Sequence, residues 1–186
     1  MPQAIAGLVV ERLGPDPRGG DLVVGTLPTG SERSLAEPLA CAPGTTITPH
    51  LGFVLAQPLE GPGVTAAAAR QSVAAVHAAL AFGDGDGVTG FVTGPVAISP
   101  AGLDLALEAV LVEVGGQVVD SGAGAELLGD PARVLAALAE RLAVEGRRLE
   151  PGWVLLTGPL TRPVPATAPS VSAHFTHLGS LPVRCI

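Results

Sequence analysis

The chain has 186 residues, enough for one domain with a real hydrophobic core. Apolar residues make up 47% and charged residues 15%, and the many Gly and Pro residues are typical of a turn-rich β-domain rather than a disordered chain. The net charge of −7 argues against a nucleic-acid partner, because such binding depends on Lys and Arg at phosphates. The sequence has no Lys, Tyr or Asn, which excludes a Schiff-base lysine, a tyrosine acid and an asparagine oxyanion donor.

The sequence indicates no membrane partner. No apolar run reaches the roughly 20 residues of a membrane helix, and residues 1–4 lack the charged start of a signal peptide. We therefore expect a cytoplasmic protein that forms a single domain over residues 1–186. Cys41 and Cys185 lie far apart without metal-ligand spacing, so we expect each to be a buried structural thiol.

The first part of the chain predicts short strands between loops. Residues 4–10 and 22–27 are apolar runs of strand length, bounded by Gly and Pro. Residues 28–46 are polar and rich in turn formers, which is long for a loop in a compact domain. This segment predicts either a hidden strand at 34–39 or a lid.

The stretch 47–59 is typical of a strand that leaves a Thr/Pro/Gly-rich loop and ends in a turn. Because side chains alternate along a strand, Thr48 and His50 share one face, while Leu51 and Phe53 share the other. Two polar side chains on one face of an apolar strand indicate the lining of a pocket.

An Ala-rich run over 66–81 predicts the first helix, with Thr65 as N-cap and Gly83 as the stop. Its buried stripe is expected at Val73, Val76 and Leu80.

A tight turn is predicted at 83–87, and a strand at 91–96. Asp84 and Asp86 in this turn resemble the start of a calcium loop. The other ligands of such a loop do not follow, so a turn is the better interpretation.

The second half has more regular patterns. Residues 103–114 alternate like a long strand, and Gly115-Gly116 turns it into a hairpin with 117–120. Asp130 as N-cap opens a helix over 131–145. Further strands are predicted at 153–156, 170–177 and 181–186.

The order of these pieces resembles the C-terminal β-rich core of the 2-keto-4-pentenoate hydratase/4-oxalocrotonate decarboxylase family, which has the fumarylacetoacetate hydrolase fold. The motifs in register are 100–105, the Gly115-Gly116 hairpin, 121–131, 146–152 and 154–158. The resemblance implies an α+β fold, a mixed β-roll with two main helices. It also implies that the family's N-terminal helical segment has no counterpart in these residues.

This sequence departs from the family pattern at the positions of the family's metal ligands and catalytic residues. The resemblance places the family's Glu-x-Glu metal pair on Thr48 and His50, and its third metal carboxylate on Ala81 or a residue near it. The family's catalytic Lys falls on Ile5, and its Asn-Ala-Ser loop falls on 85–87. A hard divalent cation needs several oxygen ligands, so we expect neither a metal nor another cofactor.

We therefore expect a metal-independent enzyme, which could be a cyclase, an isomerase or a lyase, acting on an unsaturated keto or polyketide-like small molecule. His50 is the candidate acid/base, because the ordinary pKa of histidine lies near neutrality, with Asp84 and Asp86 at the rim of the pocket. The candidate substrate-binding residues are Thr48, Thr157, Phe53 and Phe91. His174 and His177 are further polar candidates.

Two other interpretations stay open. The chain could be a non-catalytic homologue that binds a ligand or stabilises a partner subunit, or a surviving metal-dependent hydratase or decarboxylase. A catalytic site predicts a mostly apolar cavity reached by His50, whereas a scaffold subunit predicts a filled pocket and a large exposed apolar patch. The expected partner is a small-molecule substrate, and a homo-oligomer is left open.

Overall fold

A computed structural model describes residues 5–12, 22–84 and 87–186. The strands in these ranges are β1 (Ile5–Arg12), β2 (Val23–Pro28), β3 (Thr46–Leu55), β4 (Val73–Asp84), β5 (Gly87–Thr93), β6 (Ala109–Val114), β7 (Gln117–Ala123), β8 (Val154–Thr157), β9 (Val164–Pro165), β10 (Ser170–Phe175) and β11 (Gly179–Arg184). The helices are α1 (Ala66–Gln71) and α2 (Pro131–Ala143). No helix in the described ranges is long and apolar enough to cross a membrane.

Two sheets share one hydrophobic core, which α2 covers with its apolar side. The larger sheet has the order β2–β1–β8–β3–β4–β5, with β9 added beside β3. Strands β1 and β8 are parallel, whereas the other pairs in this sheet are antiparallel. The smaller sheet has the antiparallel order β11–β10–β6–β7. This mixed architecture with little helix confirms the predicted α+β class.

The predicted first helix is wrong beyond its first turns. Thr65 is its N-cap and accepts a hydrogen bond from the Ala68 amide, but α1 ends at Gln71 and the chain continues as β4. Alanine favours helix in isolation, yet β4 pairs along almost its whole length with β3 and also pairs with β5. Tertiary pairing therefore overrides the local preference, and one of the two expected main helices is short.

The second helix and the hairpin are confirmed. The Asp130 carboxylate accepts a hydrogen bond from the Ala132 amide, and α2 begins at Pro131. Strands β6 and β7 pair antiparallel through Gly115 and Gly116, which both have positive φ. The long strand expected over 103–114 is shorter, because a 3₁₀ turn at Pro100–Gly102 and further turns precede β6.

The segment between β2 and β3 contains no regular strand. It is attached to the sheets by single bridges, from Glu32 to Phe91 and from Leu39 to Cys185. The expectation of two separate buried thiols is wrong, because Cys41 and Cys185 are half-buried and form a disulfide. Their sequence separation of 144 residues hides this proximity.

The larger sheet has two different faces, and the difference places the candidate site. One face carries Ile47, Leu51 and Phe53 of β3 into the shared core. The opposite face carries a small apolar cluster, formed by Val9, Leu27, Ala79, Ala81, Phe91 and Leu156. Thr48 and His50 lie on this second face, because Thr48 is paired with Ala81 and His50 with Ala79.

Candidate functional site

A pocket of about 130 Å³ lies beside the small apolar cluster. Strands β1, β3, β4 and β5 and the segment after β8 contribute to its wall. Its lining residues are Glu11, Thr46, Thr48, His50, Ala81, Phe82, Gly83, Asp84, Gly87, Val88 and Pro163. The pocket lining therefore combines apolar side chains with hydroxyl, imidazole and carboxylate groups.

Thr48 and His50 form a hydrogen-bonded pair in this wall. The Thr48 Oγ1 lies 3.0 Å from the His50 Nε2. Thr48 is half-buried, whereas His50 is 1% exposed at the base of the pocket. Strand alternation predicted their shared face from the sequence, and the hydrogen bond joins them directly.

The His50 ring is held in its neutral form. Burial disfavours the imidazolium and lowers the pKa of His50 from 6.5 to about 3. The Nδ1 atom is buried without a hydrogen-bond partner and faces Gly158, where a Cβ would lie 2.5 Å from it. Glycine at position 158 is what allows the ring to sit so close to the backbone.

Glu11 is a pocket residue that the sequence analysis missed. It lies on β1, one alternation after Val9 of the small apolar cluster, and its Oε1 accepts a hydrogen bond from the Val88 amide at 3.2 Å. A Cβ at Gly25 would lie 2.5 Å from the same oxygen, so the glycine leaves room for the carboxylate. The only signal in the sequence was a single acidic residue near the end of an apolar strand.

The acidic turn is only partly described. Asp84 lines the pocket and is exposed at the end of β4. Asp86, the other acidic residue expected at the rim, lies outside the described residues.

The other expected substrate contacts do not line this pocket. Thr157 is paired with Leu51, which puts it on the opposite face of the sheet, and its Oγ1 donates to the Leu51 carbonyl at 3.2 Å. Phe53 is completely buried in the shared core. Phe91 is on the correct face but is 1% exposed within the small apolar cluster, beside the pocket rather than in its lining.

The two later histidines belong to the smaller sheet and its turns. The Nδ1 of His174 lies 2.8 Å from the Ser180 Oγ. The Nδ1 of His177 lies 2.7 Å from the Oε2 of Glu108, a fully buried carboxylate that also accepts from the His177 amide. Both side chains support local structure, and neither is part of the pocket wall around His50.

The three positions that the family resemblance assigns to metal ligands carry no carboxylate in this chain. Thr48, His50 and Ala81 supply no carboxylate, and the Nε2 of His50 is already paired with Thr48. Within the described ranges, no group of three or more His, Cys, Asp or Glu side chains converges as metal ligands would. A hard cation that prefers oxygen ligands therefore finds no carboxylate at these three positions.

Sequence comparison relates this chain to a set of bacterial enzymes. No protein-family model matches the chain. It is 38% identical to a 4-oxalocrotonate decarboxylase of Pseudomonas sp. (strain CF600) over 99 residues, which cover 53% of this chain and 38% of the relative. It is 34% identical to a 2-hydroxyhexa-2,4-dienoate hydratase of Comamonas testosteroni over 137 residues, which cover 64% and 51%. The matches thus span less than two thirds of these relatives' length.

Solved structures extend the similarity over the whole chain. A 4-oxalocrotonate decarboxylase from Pseudomonas putida G7, complexed with calcium and acetate, superposes with a TM-score of 0.90 at 25% identity, covering 100% of this chain and 79% of that one. A fumarylacetoacetate hydrolase from Exiguobacterium antarcticum gives a TM-score of 0.77 at 16% identity, covering 98% and 75%. The mixed sheets, the matched motifs and these similarities agree: the chain belongs to the 2-keto-4-pentenoate hydratase/4-oxalocrotonate decarboxylase family and has the fumarylacetoacetate hydrolase fold.

Proposed function

We propose that this chain is a metal-independent isomerase that moves a proton along an unsaturated keto small molecule in the pocket at Thr48 and His50. The observation that carries the proposal is the 3.0 Å contact between the Thr48 Oγ1 and the His50 Nε2 at the pocket wall. A hydroxyl group paired with a neutral imidazole is a short proton relay. Of the three reaction types that the sequence left open, isomerisation uses such a relay most directly.

The relay works if the His50 proton resides on Nδ1 and Nε2 is free to accept. The Thr48 oxygen takes a proton from the carbon next to the substrate's keto group as its own proton passes to Nε2. The enolate oxygen then accepts from the Thr46 hydroxyl, which lines the same wall. The return transfer delivers a proton to a different carbon, so the substrate is rearranged without a change in formula.

The low pKa of His50 favours a reaction that returns its proton. With the pKa lowered to about 3 by burial, the neutral ring is strongly favoured near neutral pH, so an imidazolium formed during the reaction does not persist and its proton is returned. A lyase or hydratase would instead need a group that keeps or releases a proton during bond cleavage or water addition. A cyclase that only shapes its substrate would need no relay at all.

Metal independence is part of the proposal. It is supported by the residues at the family's metal-ligand positions. Thr48 and the neutral His50 lie on β3, and Ala81 lies opposite Thr48 on β4. The expected result is that purified protein contains no stoichiometric Mg or Mn and keeps its activity in a chelator. Stoichiometric metal by elemental analysis, together with activity lost to the chelator, would show a surviving metal enzyme instead.

The relay is tested by hydrogen exchange in D₂O, with the amide and the methyl ester of 2-oxopent-4-enoate as probes. Wild-type protein should accelerate deuterium incorporation next to the keto group, as followed by proton NMR. His50→Gln and Thr48→Val should each lower that rate by about 10²–10⁴. His174→Gln is the matched control, because it removes a histidine that lies on the other sheet.

Melting curves of each variant separate a lost relay from a lost fold. Full exchange activity in both His50→Gln and Thr48→Val, with unchanged melting, removes the pair from any catalytic role.

A second candidate function is a non-catalytic ligand-binding homologue. The observation in its favour is that His50 is 1% exposed and already hydrogen-bonded, as a structural histidine would be. In that case the same probes would bind without accelerated deuterium incorporation. The exchange experiment therefore distinguishes the two candidates directly.

A further inference from the structure

Glu11 is the pocket group that the proposed relay does not use. It is half-buried. Within the described residues, its Oε1 accepts a hydrogen bond from the Val88 amide. An ionised carboxylate has roughly four acceptor positions. Within the described residues no hydrogen bond to Oε2 is seen, so this oxygen can accept from a ligand in the pocket.

In the described part of the chain, no positively charged side chain forms an ion pair with Glu11. None of the described ion pairs includes it, and no arginine is among the lining residues. The sequence contains no lysine, and His50 is neutral because burial keeps its pKa low. Asp84 adds a second acidic side chain to the same lining.

We propose that this pocket selects an uncharged substrate that presents an N–H or O–H donor to Glu11, and that it rejects a substrate carboxylate. The inference rests on the function proposed above and names the substrate class for that same site. A ligand carboxylate would be desolvated beside the like charge of Glu11, and no cation among the described lining residues offsets the repulsion. A donor group at the same place would gain a hydrogen bond to a charged acceptor, which is among the stronger kinds.

The pocket contains a second polar group besides the carboxylates. His50 is almost fully buried and still lines the same pocket, with its Nε2 beside the Thr48 hydroxyl and its unpartnered Nδ1 against Gly158. Polar groups are normally satisfied when they are buried. Glu11 and His50 therefore line the same cavity. We infer that the Glu11 carboxylate determines which ligands can reach the imidazole ring.

The test compares crotonamide with crotonate, which have the same shape and number of heavy atoms but differ in charge. Dissociation constants are measured by ligand-observed NMR at pH 7. Wild-type protein should bind crotonamide about tenfold more tightly than crotonate, as expected for a like-charge contact of partial burial. Glu11→Gln should reduce this preference to below about threefold, mainly by admitting crotonate.

Glu37→Gln is the matched control, because it removes the same charge from an exposed turn in the segment before β3. It should leave the preference of the wild-type protein unchanged. Methyl crotonate, which is uncharged and has no donor, tests the role assigned to Glu11. Equal binding of methyl crotonate and crotonamide overturns the donor assignment.

The remaining outcomes separate this inference from the proposed function. Crotonate binding as tightly as crotonamide, or a preference that survives Glu11→Gln, overturns the charge selection and leaves the relay standing. Failure of all three probes to bind overturns the ligand pocket itself, and the proposed function falls with it.

Discussion

At the scale of single residues, Thr48 and His50 of β3 and Glu11 of β1 meet in the lining of one pocket. Thr48 and His50 share a face because of strand alternation, and the structure joins them by a hydrogen bond. Glu11 reaches the same pocket from β1, which lies on the far side of β8 in the sheet. Thr157 points away, because its pairing with Leu51 sets its face. Such registers are not encoded in any local pattern.

His50 also predicts how stability depends on pH. Its pKa is about 3 in the folded chain against 6.5 for an ordinary histidine, so the unfolded chain takes up this proton first as the pH falls. The contribution to folding is complete above pH 6.5 and is lost progressively towards pH 3. Between pH 7 and pH 5 the loss is about 2 kcal/mol of unfolding free energy.

Urea denaturation at the two pH values measures this loss. The difference between pH 7 and pH 5 should be about 2 kcal/mol smaller in His50→Gln than in the wild-type protein. An equal pH dependence in His50→Gln and wild-type protein would mean that His50 is not buried in neutral form.

At the scale of elements, β4 shows where composition misleads and where capping does not. Its alanines predicted a helix, yet Ala78, Ala79 and Ala81 are completely buried between neighbouring strands. Their small side chains fit into the apolar clusters that pack on the two faces of the sheet. The capped start of α2 and the Gly-Gly hairpin were predictable because each depends on residues adjacent in sequence. Whether the alanine run forms a helix or a strand depends on its pairing with β3, and capping residues give no information about that pairing.

Ala79→Leu tests this account of β4. Ala79 is completely buried in the small apolar cluster, so a larger side chain would have to displace its neighbours. We expect the variant to lose about 1–3 kcal/mol of unfolding free energy through overpacking. Ala74→Leu is the control on the same strand, because Ala74 is exposed. Equal stability of the two variants in urea denaturation would contradict the packing described for β4.

At the scale of the whole molecule, the two sheets are held by a shared core and by a covalent link near the chain's end. Val110, Val171 and Leu181 of the smaller sheet lie in the same apolar cluster as Leu51 of the larger one. The disulfide between Cys41 and Cys185 joins the last strand region to the segment that leads into β3. Backbone hydrogen bonds accompany it, from the Leu39 amide to the Arg184 carbonyl and from the Ile186 amide to the Leu39 carbonyl.

This disulfide should be a large contributor to stability. It spans a sequence separation of 144 residues, and a cross-link over a long loop restricts the unfolded chain strongly. The variant with both Cys41→Ser and Cys185→Ser should lose about 2–4 kcal/mol of unfolding free energy, measured by urea denaturation without reductant. Dithiothreitol should lower the melting temperature of the wild-type protein towards that of the variant and leave the variant unchanged. Disulfides rarely persist in a reducing cytosol, so the expected cytoplasmic location would place the chain in its less stable form. Two free thiols in unreduced, folded wild-type protein, or equal stability of the two proteins, would contradict the link.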